Sequence, residues 1–190
     1  MPPKIRFDRD CIINAAYQLA RKDGYEAINA RAVAKEMGSS TQPLFRVFEN
    51  MEKLKAEVYK KAQLCCQRYI TDTRSGAWQP DQAAAMAYLL FAREEPQLFR
   101  LLFMRQRTAA EEEFRLDRSY DETIKTLMTT SGLTREQAER FYQHMCVFIH
   151  GLATMQATGL TVFTTEHLSD MLKEEYFAAT VVYRRRASNG

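Results

Sequence analysis

Between Phe7 and Leu54 the chain carries four helix-start signals and two glycine stops at short, regular intervals. Few folds accept that punctuation. Asp8 precedes an apolar-periodic run (Ile12, Ala16, Leu19, Ala20) that stops at Asp23-Gly24, and Asn29 opens a shorter run (Val33, Ala34, Met37) that stops at Gly38. Ser39-Ser40 lead into a third segment over residues 41–48, and Asn50 opens a fourth. The side-chain oxygens of Asp8, Asn29, Ser40 and Asn50 suit capping of exposed backbone N–H groups, and Gly24 and Gly38 suit the left-handed stop. Phe7 with Ile12 and Ile28 with Val33 have the spacing of hydrophobic staples. Two short helices joined by a glycine-containing turn, behind a longer supporting helix, predict a helix-turn-helix whose second helix enters the DNA major groove.

The exposed start of that second helix would carry the readout. Ser39, Ser40, Thr41, Gln42 and Arg46 supply hydroxyls, an amide able to pair with adenine, and a guanidinium for guanine or phosphate. Leu44, Val47 and Phe48 should face the domain core, and Pro43 lies in the first turn, where its missing N–H costs least. Asn29 and Arg31 begin the preceding helix, whose N-terminus suits a phosphate. Lys4 and Arg6 form a candidate basic arm.

The segment Ile13-Asn14-Ala15-Ala16, Asp23-Gly24-Tyr25, Arg31-Ala32-Val33-Ala34, Met37-Gly38-Ser39-Ser40 and Leu44-Phe45-Arg46-Val47-Phe48 resembles the N-terminal domain of the TetR/AcrR family of bacterial transcriptional regulators. The match covers about the first quarter of the chain. The remainder resembles the family in length, helicity and a His150-Gly151-Leu152-Ala153 segment. The resemblance implies a tyrosine on the recognition helix, where Phe45 stands here, and a lysine at the start of the fourth helix, where Met51 stands. Both usually grip the DNA backbone, so Lys53 or Lys55 would take over from one turn along. It also implies a homodimer on double-stranded DNA with a palindromic operator, in which two-fold symmetry sets two recognition helices about 34–36 Å apart.

Beyond Asn50 no period-two pattern occurs, and the fold class expected is all-α, with about nine helices. A helix-turn-helix domain over residues 1–50 would precede a helical effector-binding and dimerisation domain over 51–190, linked by a long helix over about 51–74. Residues 75–80 read as a linker, Glu95-Pro96 as a break, and Leu98, Leu101 and Leu102 as a short helix reaching Met104 and Arg105. A seventh helix is expected over about 110–130, opened by Glu111-Glu112-Glu113. Thr134-x-x-Gln137 is a capping box for the eighth. On that helix Phe141, Met145, Phe148, Leu152 and Met155 form a stripe, and Leu168, Met171, Leu172, Tyr176, Ala179 and Val182 form another on the last. Such stripes either close the protomer's core or pair across a dimer; Phe141, Met145, Leu152, Met155, Leu168, Met171 and Ala179 are the dimer candidates.

For a small hydrophobic or amphipathic effector the candidates are Tyr88, Phe91, Phe99, Phe103, Tyr120, Met128 and Phe148, with Arg93 or Arg105 facing an anionic group. The same residues suit an ordinary helical core. Residues 1–75 carry 14 Lys and Arg against 9 Asp and Glu, and the remainder 13 against 15, which puts a basic module on a mildly acidic body. No apolar run approaches a membrane span and no signal-peptide core is present. Cys11, Cys65, Cys66 and Cys146 make a poor disulfide framework, so a reducing cytoplasm is expected. No enzyme motif, cofactor motif or metal-ligand set is found; Cys146 and His150, four apart on a helix, lack a complementary pair. The expectation is a repressor with a small-molecule effector. A redox sensor built on Cys65-Cys66 and an architectural or protein-recruiting DNA-binder without an effector stand as alternatives.

Overall fold

The computed structural model describes residues 7–73, 80–106, 108 and 120–188. The basic arm at Lys4 and Arg6, the linker over 75–79, the Glu111-Glu112-Glu113 run and the first part of the expected seventh helix lie outside the described residues. Within them the chain is all-helical: α1 (Arg9–Asp23), a 3-10 turn (Tyr25–Ala27), α2 (Ala30–Glu36), α3 (Gln42–Val47), α4 (Met51–Thr73), α5 (Pro80–Glu94), α6 (Pro96–Phe103), α7 (Tyr120–Ser131), α8 (Arg135–Ala157) and α9 (Thr165–Ser188). Two compact units share the chain. One comprises Met1–Tyr69 and Glu95–Phe114, the other Ile70–Glu94 and Arg115–Gly190.

In the first unit the expected caps form at three helix starts. Cys11 N donates to Asp8 Oδ1 (2.8 Å), Ala32 N to Asn29 Oδ1 (3.0 Å) and Lys53 N to Asn50 Oδ1 (2.9 Å). The fourth differs: α3 begins after Thr41 with no side-chain cap, and Ser40 contributes no capping bond. Thr41 has helical angles (φ −76°, ψ −11°), so the chain turns into α3 too early for a side-chain oxygen to fold back. Gly38, at φ +63°, ends α2 with Ser39 N donating to Ala34 O (2.9 Å) and Gly38 N to Lys35 O (3.0 Å), a Schellman pair. Ile12, Ala16, Ala20, Val33, Leu44, Phe48, Leu54 and Val58 form the buried interior.

The helix α6 belongs to this unit and packs on α1. Arg21 Nε donates to Glu95 Oε2 (2.8 Å), and its terminal nitrogen pairs with the other carboxylate oxygen. After α6, which stops at Phe103 rather than running on to Arg105, the Arg105 guanidinium lies 3.9 Å over the Tyr25 ring and 5.4 Å from that of Tyr59. A planar cation stacked on aromatic faces is a favourable anchor.

In the second unit α5 is buried nearly all round, from Met86 through Ala92. It packs on α8, joined by Tyr88 and His150 (hydroxyl to Nδ1, 2.9 Å) and by Gln156 Nε2 donating to Leu89 O (3.0 Å). Ile124, Leu127, Leu133, Ala138, Phe141, Met145 and Ala179 cluster, with Tyr176 and Tyr183 set edge-on to Phe141. The Thr134–Gln137 capping box forms as expected. Arg184 Nε donates to Ser131 O (2.7 Å), which occupies one of the carbonyls left open at the end of α7.

Candidate nucleic-acid interface

The α2–turn–α3 segment presents one polar face because its other face is fixed from behind. Leu44 and Phe48 are buried and Val47 half-buried, so Gln42, Phe45 and Arg46, spaced i, i+3, i+4, point outward together. All three are exposed, and Phe45 leaves 51% of its surface in solvent. Ser40 is exposed and Thr41 half-buried; Ser39, also half-buried, has its hydroxyl donating to Ser40 O (3.0 Å). Arg31 and Lys53 are exposed at the starts of α2 and α4. Asn29 differs from these, since its Oδ1 caps α2 and its Nδ2 donates to Ala27 O (3.2 Å). Its side chain therefore holds the turn.

A shallow groove of about 380 Å³ lies beside this face, lined by Arg9, Val47, Phe48, Glu49, Lys53, Ala56, Glu57 and Lys60. Arg9 lies 4.7 Å over the Phe48 ring and its Nη2 is 3.2 Å from Glu57 Oε1; Lys60 Nζ is 3.8 Å from the same oxygen. Sequence reasoning missed this cluster. Arg9 and Glu57 lie on different helices, and only the packing of α1 on α4 brings them together.

The effector candidates are divided between the two units. Phe99 and Phe103, with ring centroids 4.9 Å apart, belong to the first unit; Tyr88, Phe91, Tyr120, Met128 and Phe148 belong to the second. Tyr88 and Phe91 are buried, Met128 and Phe148 pack against the core cluster, and Tyr120 stands edge-on to Tyr142. Both arginines already make contacts within the protomer. Arg105 is stacked on tyrosines, and Arg93 meets Glu94 (3.6 Å) and donates to Thr165 Oγ1 (3.2 Å). The dimer candidates lie at different depths in the protomer. Phe141, Met145, Leu152, Leu168 and Ala179 are buried within the protomer, and Met155 and Met171 are half-buried. The large apolar side chains that α8 and α9 expose are instead Val147, Phe177 and Val182.

Cys146 is exposed, His150 engages Tyr88, and no group of three His, Cys, Asp or Glu converges among the described residues. Burial lowers the His150 pKa from its ordinary value and pushes the Cys66 thiol up to about 12. A thiol so raised stays protonated at neutral pH, so Cys66 is not a ready thiolate nucleophile. No helix among the described residues is long and apolar enough to cross a membrane.

Comparison with known proteins agrees with this geometry. Residues 12–58 match the family model for bacterial regulatory proteins of the tetR family, and residues 82–180 match that for the tetracyclin repressor-like C-terminal domain. No curated protein matches the chain. The fold is similar to the crystal structure of a protein from Pseudomonas aeruginosa PAO1 proposed to be a transcriptional regulator, with a TM-score of 0.67 at 16% identity over 95% of this chain and 98% of that one. With a helix-turn-helix at one end and the family's C-terminal domain over half its length, the chain is a DNA-binding transcriptional regulator of the TetR family.

Proposed function

We propose that the chain acts in the cytoplasm as a homodimer that reads a palindromic operator through α3. The observation that carries this reading is the outward face of α3, where Gln42, Phe45 and Arg46 stand together on a helix pinned by Leu44 and Phe48. Gln42 suits adenine, Arg46 suits guanine or phosphate, and the exposed Phe45 ring suits a thymine methyl. Ser39, Ser40 and Thr41 extend the polar edge, while Arg31 and Lys53 flank it as phosphate contacts. Two copies of the head are needed because one short helix makes too few base contacts for operator-level selectivity. A dimer seated on a palindrome blocks other proteins from that site, so repression is the simplest output.

The second unit would bind a small apolar or amphipathic effector that shifts the population between two arrangements of the heads. Coupling of this kind is commonly about 1–3 kcal/mol. Gln156 supports a polar handle in that interior: it is buried, and its Oε1 has no hydrogen-bond partner among the described residues. An orphaned buried acceptor costs roughly 1–3 kcal/mol, which a donor group on a ligand would recover.

The test is selection of bound sequences from a random duplex pool, with the wild type beside Gln42→Ala. A palindrome recovered by the wild type and relaxed at one position per half-site by Gln42→Ala is the expected result. Enrichment of no sequence would favour an architectural role, and absence of DNA binding would defeat the reading.

A further inference from the structure

The groove beside α3 holds three cations and two carboxylates, and their pairing is uneven. Glu57 sits between Arg9 (3.2 Å) and Lys60 (3.8 Å), so one carboxylate engages two of the three cations. It is also the least exposed of the three, its side chain showing 29% of its surface against 52% for Arg9 and 43% for Lys60. The carboxylate is therefore the more buried partner in both ion pairs. Arg9 is held a second time by its stacking on Phe48, the residue that ends α3. This cation pair thus lines the same groove as Val47 and Phe48, at the end of the recognition helix.

We propose that Glu57 is a positioning residue for DNA binding: it holds Arg9 and Lys60 away from phosphate and so limits the sequence-independent part of the affinity. The proposal rests on the placement of α3 against the duplex. Each cation that reaches a phosphate displaces condensed counterions and adds roughly 0.9 to the slope of log affinity against log salt, whatever the base sequence. A carboxylate that occupies two cations removes up to two such increments. Base readout by Gln42 and Arg46 is unaffected, because neither residue lines the groove. The protein would then leave arbitrary DNA quickly, which helps a regulator that searches among roughly a million or more competing sites.

Salt dependence tests this directly. Binding of the full-length protein to a random-sequence duplex is measured from 50 to 200 mM salt for wild type, Glu57→Gln, Arg9→Gln and the double variant. Glu57→Gln should steepen the slope by roughly 0.9 to 1.8 and bind several-fold more tightly at the lower salt. Arg9→Gln alone should leave the wild-type slope unchanged, yet remove roughly 0.9 from the slope of Glu57→Gln. Lys60→Gln should behave in the same way and gives an independent second cycle. A Glu57→Gln slope equal to wild type overturns the proposal, as does a flatter slope from Arg9→Gln alone, since Arg9 would then already touch phosphate. Failure of the α3 placement would show instead as an unchanged selected sequence in Gln42→Ala, whose salt slope should match wild type.

Discussion

At the scale of single residues, the first unit depends on two glycines with different demands. Gly38 takes the left-handed conformation in open space, with nothing within 4 Å of an added Cβ. Gly24 sits at φ +90°, ψ 172°, a region open essentially to glycine alone, and an added Cβ would lie 3.2 Å from Gln97 Oε1 of α6. Gly38→Ala should therefore cost about 1 kcal/mol, and Gly24→Ala roughly 2–3 kcal/mol, because the Gly24 backbone region is the more strained for an L residue while the flexible end of Gln97 can move aside. Urea unfolding followed by far-UV circular dichroism checks the order, and equal costs would refute it. Both glycine stops, and the caps at Asp8, Asn29, Asn50 and Thr134, were legible in the sequence because each acts within three or four residues. The start of α3 was misread by one residue. Its backbone enters the helix without a side-chain cap, so Ser40 offered a signal that the fold does not use.

Among the elements, α5 and α8 form the seam of the second unit, and its polar contacts make it sensitive to acid. Burial depresses the folded-state pKa of His150 below its ordinary 6.5, so on acidification the unfolded chain binds the proton first. Stability tied to this group is present above pH 6.5 and is lost as pH falls through the lower folded value. Protonation also leaves Nδ1 able only to donate toward the Tyr88 hydroxyl. The melting temperature should fall between pH 7.5 and 5.5 by more in wild type than in His150→Gln, and parallel curves would remove His150 from the account. The stripe Phe141, Met145, Leu152 was legible as apolar, but its partner was not. A helix face of that period packs equally well on its own chain or on a second copy, and only burial within the protomer distinguishes the two. Arg21–Glu95 and Arg105–Tyr25 were invisible for a related reason, since their partners lie more than seventy residues apart.

For the molecule as a whole, the outward apolar side chains on α8 and α9 make a specific claim about assembly. Val147 and Phe177 expose 75% and 71% of their surfaces, and burying each against a second copy would contribute roughly 1.5–3 kcal/mol. The wild type should sediment as a dimer at micromolar concentration, and a Val147→Glu, Phe177→Glu double variant as a folded monomer, since a dimer would bury unpaired carboxylates. A variant that remains dimeric would place the interface elsewhere.

The interleaving of the two units also bears on how the protein is made. The DNA-binding unit is written in two instalments, Met1–Tyr69 and Glu95–Phe114, with part of the other unit between them. At a synthesis rate of about 5–20 residues per second, α6 leaves the ribosome several seconds after the helix-turn-helix. During that interval the α1 surface that receives α6 is bare, and Arg21 waits for Glu95. The reading head of this regulator is thus finished only after part of its other unit has been synthesised, so a nascent chain cut short before α6 would lack a completed DNA-binding unit.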